Sequence, residues 1–184
     1  MSIFAVIDTE TNWLNQVMSI GLVVSDETTM EKLDGRYYVL NPEAQTEGMY
    51  SDRLDLAEKT AVCTRRAAME DLKAWLRSLR VEEIFAYNAR FDFGHLGELS
   101  EFAWYDIMAL AAYRQYNSSI SLWEPCCSTG RLRRGYGVEP VLQNLSGDPG
   151  YRETHNALLD ACDELAIMRL LRQPLSTYRA AARL

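Results

Sequence analysis

Three short stretches of this chain place carboxylates where an apolar segment gives way to a turn or a helix. The first is Asp8-Thr9-Glu10, directly after the apolar run Ile3 to Ile7. Side chains of a strand alternate between its faces, so two acids two residues apart leave the same face. The second is Asn88-Ala89-Arg90-Phe91-Asp92, at the expected junction of a strand and a helix. The third is His155-Asn156-Ala157-Leu158-Leu159-Asp160, at the expected start of the last helix, with His155 in the loop or cap and Asp160 one turn inside. If the three converge, four carboxylates share one site. Each close pair then repels by roughly 4 kcal/mol at an effective dielectric of about 20. Protonation or cations must relieve that repulsion. Carboxylate oxygens with no cysteine cluster favour Mg²⁺ or Mn²⁺ over zinc. Two such ions roughly 4 Å apart are the known device for in-line displacement at phosphorus, one activating water and the other stabilising the leaving oxygen. A histidine beside them, with an ordinary pKa of about 6.5, suits the attacking water's proton. Asp8 and Glu10 are therefore expected to be metal ligands.

The elements that must position these residues are legible in outline. Residues 3–8, 17–25 (VMSIGLVVS) and 36–41 (RYYVLN, stopped by Pro42) read as strands. Their short connections predict an antiparallel meander. Residues 43–62 show no period and read as a loop with a short helical turn. Ala68, Leu72, Trp75, Leu76 and Leu79 recur at helical spacing behind a candidate N-cap, Thr64. EIFAYN (83–88) reads as a strand and FDFGHLGEL (91–99) as a short helix. WYDI (104–107) reads as a strand leading into a helix through Leu110 and Tyr113. Residues 117–135 read as a long irregular loop, of a kind that is often functional. GVEPVLQNL reads as a helix with Pro140 in its first turn, and the last helix spans Asn156 to Leu171. Ala157, Leu158, Ala161, Cys162 and Leu165 form the stripe that would dock it on the sheet. Three strands followed by alternating helices and strands predict an α/β protein with a mixed sheet and helices on its faces. There is no internal repeat or low-complexity tract, and residues 1–184 read as one domain.

The bulk composition narrows the classes further. A hydrophobic share of 48 % and a charged share of 24 % are ordinary for a soluble globular chain. No apolar stretch approaches the ~20 residues of a membrane helix, and no export signal stands at the N-terminus, so the expected location is cytoplasmic and without membrane contact. Cys63, Cys126, Cys127 and Cys162 lack metal or redox spacing and read as reduced thiols. The net charge of −7 opposes coating of nucleic acid through an overall field, though not a site that grips one strand end. No glycine-rich phosphate loop follows a strand, which weighs against nicotinamide or ATP chemistry.

With D-x-E on the first strand, N-x-x-x-D in the middle and H-x-x-x-x-D at the last helix, the sequence resembles the DEDDh-type 3′–5′ exonucleases. That family includes the proofreading subunit of bacterial DNA polymerase III and ribonuclease T. FAVIDTET, MSIGLVV, FAYNARFDFGHL, YDIMALA and HNALLDACDELAIMRLL carry the likeness, in family order and over most of the chain. The resemblance implies a ribonuclease H-like sheet with the first strand central. It implies two divalent cations, Mg²⁺ or Mn²⁺, and hydrolytic release of nucleoside monophosphates from single-stranded or frayed DNA or RNA 3′ ends. By the same resemblance Asp8 would bridge both metals, Glu10 and Asp160 would complete the first ion's shell, Asp92 would hold the second, and His155 would be the general base. Thr11 and the backbone near it would lie beside the terminal nucleotide, with Phe91, Met18 and Leu22 lining its pocket; Asn12, Trp13 and Asn88 are further candidates for substrate contact. A polymerase or repair protein is the corresponding partner expectation.

The chain also departs from the family. Thr11 is followed by Asn12-Trp13 where the family often has glycine, and Tyr87 stands where a histidine often precedes the asparagine. Trp13 either packs or stacks on a base. Arg131, Arg133 and Arg134, near Tyr136, are either a solvated face or phosphate contacts. His95 and Asp106 read as structural, and Asp163 and Glu164 as a surface face. Two other functions stay open: a non-catalytic partner-binding module on the same fold, and a phosphodiesterase of short oligonucleotides.

Overall fold

The computed structural model of the protein describes residues 2–184. Three strands open the chain: β1 (Ile3–Thr11), β2 (Val17–Asp26) and β3 (Lys32–Leu40). They form the antiparallel meander that their short connections predict. β4 (Ala61–Cys63) and α1 (Arg65–Ser78) follow, then β5 (Glu83–Ala86), α2 (Arg90–His95), β6 (Ala103–Asp106) and α3 (Met108–Ala111). α4 (Val138–Ser146), α5 (Ala157–Leu171) and α6 (Leu175–Ala181) complete the chain. The six strands form one mixed sheet in the order β4-β3-β2-β1-β5-β6. β5 lies parallel to β1, β6 parallel to β5, and β4 parallel to β3. The architecture is the ribonuclease H-like α/β sheet flanked by helices, with β1 in its interior.

The alternation of β1 divides the core. Ala5 and Ile7 face α1 and pack with Leu72, Trp75 and Leu76. Phe4 and Val6 face the other way and pack with Phe85, Ala161, Leu165 and Tyr178. Each fully buried large aliphatic side chain contributes about 1.5–3 kcal/mol. Thr64 caps α1 by accepting the Ala67 N–H, as its position before the helical stripe predicts. Pro140 sits in the first turn of α4, where its missing N–H costs nothing.

Some elements differ from the expected ones. β3 begins four residues before Arg36, on a polar, exposed half that pairs with β2 and carries no hydrophobic period. The stretch 43–62 holds two single 3-10 turns and then β4, whose three residues are too few to show an alternation. The expected helix 91–99 divides into α2 and a 3-10 turn at Gly97–Leu99. α6 was not expected; it starts after Pro174 and buries only Leu175 and Tyr178. Among the described residues no helix is long and apolar enough to cross a membrane.

Candidate active site

The site forms where the C-terminal end of β1 meets the first turn of α5. Asp8 and Glu10 share the face of Phe4 and Val6, toward α5. Opposite Asp8 on β2 is Gly21. A Cβ there would stand 2.1 Å from the backbone of Ala157. Only glycine therefore lets the start of α5 lie directly on the strand pair beside Asp8. Asn156 caps that helix: its side-chain oxygen accepts the Leu159 N–H, and its amide donates to the Tyr37 hydroxyl at 3.0 Å and the Arg53 carbonyl at 2.8 Å. The cap holds His155 just outside the helix, at a left-handed φ of 56°, and Asp160 one turn inside. Ligand-capable atoms of Glu10, His155 and Asp160 consequently lie within 4.8 Å of one another. The Tyr50 ring stacks on His155 at 3.8 Å and 9° between planes, fixing the plane of the imidazole.

Asp92 arrives from the other side of β1. Asn88, at φ 59°, makes the left-handed turn that launches α2, a conformation asparagine tolerates better than most residues. Asp106 holds this turn by accepting the N–H groups of Asn88 and Met108 at 3.0 and 2.9 Å, which gives it the structural role its position predicts. Asp92 is buried and accepts a 2.7 Å hydrogen bond from the Thr9 hydroxyl. Thr9, between the two acids of β1, thus points away from them and fixes the third.

Burial, and then crowding by like charges, shifts every acid of this site upward. Asp8 keeps a solvent-facing edge, but the protein packed around it, and then Asp92, Glu164, Glu10 and Asp160, hold its carboxyl well above the usual range. Burial, followed by Asp160, Glu153 and Asp92, pushes Glu10 to about 8. Burial raises Asp92 to about 7 against the pull of the Thr9 hydroxyl. Burial, then Glu153 and Asp163, raise Asp160 to about 7. His155 moves the other way: burial, then the Arg53 cation, lower its pKa and favour the neutral ring.

Glu164 escaped the sequence reading. It is 1 % exposed, not part of a surface face, and lies one helical turn beyond Asp160. Its burial, and then Asp92, hold its carboxyl well above the usual range. Asp163 is also half-buried, bonded to the Tyr151 hydroxyl. The D-E pair in a helix carries no signal that distinguishes it from a solvated face; only packing against the sheet does. One oxygen each of Asp160 and Glu164 is buried without a hydrogen-bond partner. Unpartnered buried carboxylate oxygens are costly; a hard divalent cation held by Asp160 would satisfy its oxygen, and protonation would relieve Glu164. The donor set, all carboxylate oxygen with one imidazole and no thiolate, fits such an ion.

The other residues expected near a substrate divide. Trp13 is 63 % exposed on the β1–β2 turn, so it does not pack in the core. Thr11 follows a bulge after Glu10 that turns the chain at the rim of the site. Asn12 is buried, and both ends of its amide serve the turn, binding the Leu14 and Gln16 N–H groups, Gln16 Oε1 and the Glu43 carbonyl. Asn88 and Phe91 are exposed beside Asp92. Met18 and Leu22 are fully buried in the core, which corrects the expectation that they line a pocket. His95 bonds the Phe91 carbonyl and packs on its ring, a structural position.

The fold and this cluster define a class: a ribonuclease H-like α/β domain with an acidic centre at the end of its interior strand. Comparison with solved structures gives that class its relatives. The nuclease domain of 3′hExo, a DEDDh family member bound to rAMP, superposes with a TM-score of 0.67 at 13 % identity, covering 98 % of this chain and 96 % of that one. The 3′-exonuclease in a structure of 3′-end-specific recognition of histone mRNA stem-loop gives a TM-score of 0.64 at 14 % identity, with 94 % and 65 % covered. E. coli Exonuclease I, in complex with a 5cy-dT13 oligonucleotide, gives 0.61 at 14 % identity; 95 % of this chain matches 41 % of that longer one. The fold is therefore the one these 3′-exonucleases share. No protein-family model matches the sequence, and no curated protein matches it.

Proposed function

We propose that this protein is a divalent-cation-dependent 3′–5′ exonuclease that releases nucleoside monophosphates from single-stranded or frayed 3′ ends. The observation that carries the reading is the cluster of Glu10, His155 and Asp160 within 4.8 Å, with Asp8 near enough to Glu10, Asp92 and Asp160 to feel their charge, in a fold whose solved relatives are 3′-exonucleases. Asp8, Glu10, Asp92 and Asp160 would hold two Mg²⁺ or Mn²⁺ ions. When bound, such ions polarise the scissile phosphate and stabilise charge on the entering and leaving oxygens. His155 takes the proton of the attacking water on a ring nitrogen, and its lowered pKa keeps that nitrogen free at neutral pH. The water oxygen bonds to phosphorus as the bond from phosphorus to the preceding 3′ oxygen breaks. That oxygen takes up a proton, leaving a 5′-monophosphate and a shortened strand. Tyr50 and Asn156 orient His155 and do not react. Trp13 stands exposed at the rim, where an indole stacks on a base for about 1–3 kcal/mol.

The test uses 5′-labelled DNA and RNA of matched sequence with Mg²⁺, with Mn²⁺, with metal removed, and with Asp92→Ala. A metal-dependent ladder shortening from the 3′ end, absent in the variant, is the expected result and identifies the preferred sugar. Cleavage of neither strand returns the choice to the binding module or to a phosphodiesterase of short oligonucleotides, which a dinucleotide panel separates.

A further inference from the structure

The hairpin-like loop of residues 113–136 is unlike the rest of the molecule. It carries four arginines, 114, 131, 133 and 134, against one carboxylate, Glu124, a net charge of +3 in a chain of −7. On α1, by contrast, Arg65, Arg66, Lys73 and Arg77 all lie within ion-pair distance of Glu98, Glu70 or Glu101. Among the described residues, Arg131, Arg133 and Arg134 pair with no carboxylate. The loop also presents aromatic faces. Trp123 is 93 % exposed and Tyr136 is 37 % exposed, with the Arg131 guanidinium 5.3 Å above the Tyr136 ring.

The loop is built, not slack. Arg114 directs its guanidinium to the carbonyls of Ser121, Leu122 and Glu124, at 3.1, 3.4 and 2.7 Å, which fixes the tip that bears Trp123. Residues 125–127 run antiparallel to 131–133, with the Cys126–Leu132 bridge and the Arg133 N–H on the Pro125 carbonyl. This register sets Pro125–Cys127, two residues beyond Trp123, beside Arg131 and Arg133, and Arg133 Nε also donates to the Cys126 carbonyl at 3.1 Å. The loop's far end is tied to the segment that leads into the acidic centre: the Tyr87 hydroxyl donates to the Tyr136 carbonyl at 2.6 Å, and Tyr87 directly precedes the Asn88 turn that places Asp92. Between the loop and α4 lies a groove of about 600 Å³ lined by Leu132, Arg134, Pro140, Gln143 and Asn144, with Glu124 also at its wall.

We propose that this loop binds the single strand upstream of the scissile bond, with Arg131, Arg133 and Arg134 on phosphates and Trp123 and Tyr136 stacking on bases. Unpaired cations beside exposed aromatic faces are the combination that holds single-stranded nucleic acid without sequence preference. The inference rests on the exonuclease reading and deepens it: the substrate is a strand several nucleotides long, and the acidic body repels one that leaves this path.

The experiment compares hydrolysis of a dinucleotide with that of a strand of about twelve nucleotides, for wild type, Trp123→Ala, the triple change of Arg131, Arg133 and Arg134 to Ala, and the triple change to Lys. The alanine triple should raise KM for the long strand by about tenfold or more and leave the dinucleotide KM unchanged. It should also flatten the plot of log affinity against log salt by about 0.7 for each phosphate that the loop no longer neutralises. The lysine triple should keep most of the salt dependence, and Trp123→Ala should weaken the long strand alone, by about fivefold or more. Equal losses on both substrates would assign the loop a merely structural role, and unchanged KM with an unchanged salt slope would leave its tip to a protein partner; either result overturns the proposal while the exonuclease reading stands. Failure of wild type to shorten the long strand would sink that reading instead, and this one with it.

Discussion

Glu164 shows how far one side chain can bias the site. It is buried with an unpartnered oxygen, and its charge adds to those around Asp8. Replacing it by glutamine keeps the shape and removes one negative charge. Glu164→Gln should therefore raise the melting temperature of the metal-free protein at pH 8 and weaken Mn²⁺ binding by about 10–100-fold, the usual range for a group just outside the ligand set. Calorimetric titration with Mn²⁺ checks it, and an unchanged affinity would leave Glu164 as a packing residue alone. His155 makes the opposite prediction. It stacks on Tyr50 and is held neutral, so His155→Ala should lower kcat by about 10²–10⁴-fold while Mn²⁺ affinity changes little. A large loss of Mn²⁺ affinity in the same titration would make His155 a ligand, with Glu10 and Asp160, and not a base. With saturating Mn²⁺ to keep the carboxylates ionised, the acid limb of the wild-type kcat profile should lie below the ordinary imidazole value, because burial lowers the His155 pKa.

Elements bring these residues together through two close approaches. Gly21 permits the first, between β2 and the start of α5. Gly21→Ala must push the helix off the strand pair, at a cost of about 1–3 kcal/mol or more, and carries His155 and Asp160 away from Asp8 and Glu10. The expected result is a lower melting temperature and a loss of activity that added Mn²⁺ does not restore; full activity would show that the helix position is not what assembles the site. Asn156 supports the same junction, and Asn156→Ala should cost about 1 kcal/mol for the lost cap and more for the buried Tyr37 hydroxyl and the half-buried Arg53 carbonyl it abandons. Much of this was readable from the sequence. Alternation placed Asp8 and Glu10 on one face, and the helical stripe after Asn156 placed Asp160 one turn in. What was not readable depends on tertiary contact. Gly21 looks like any glycine in an apolar strand until α5 lies on it. Glu164 looks like a solvated acid until the sheet covers it, and Asn156, read as the first residue of the helix, shows neither its capping role nor its grip on Arg53 and Tyr37. β4 and α6 are too short to display a period, so only their partners define them.

At the scale of the molecule, the acidic centre couples stability to pH and to divalent cations. Glu10, Asp92 and Asp160 have folded pKa values of about 8, 7 and 7, against about 4 in an unfolded chain. Between those limits the folded state binds more protons than the unfolded one. Stability therefore falls as pH rises from about 4 toward 8, and the contribution is fully present only below the unfolded values. His155, with its lowered pKa, acts in the opposite direction: its protonation at acid pH disfavours the folded state, but it is one group against several acids. The metal-free protein should melt at a higher temperature near pH 5 than near pH 8. Mg²⁺ or Mn²⁺ should reverse the order, because the ligands must lose their protons to bind and the cation then relieves the repulsion that high pH creates. Binding at pH 7 should accordingly release protons, which calorimetry in buffers of different ionisation enthalpy measures directly. A metal-free melting temperature that rises from pH 5 to pH 8, or metal binding without proton release, would mean that the acids do not crowd as the structure places them. Agreement would show that one cluster sets both the chemistry and the conditions under which the fold is most stable.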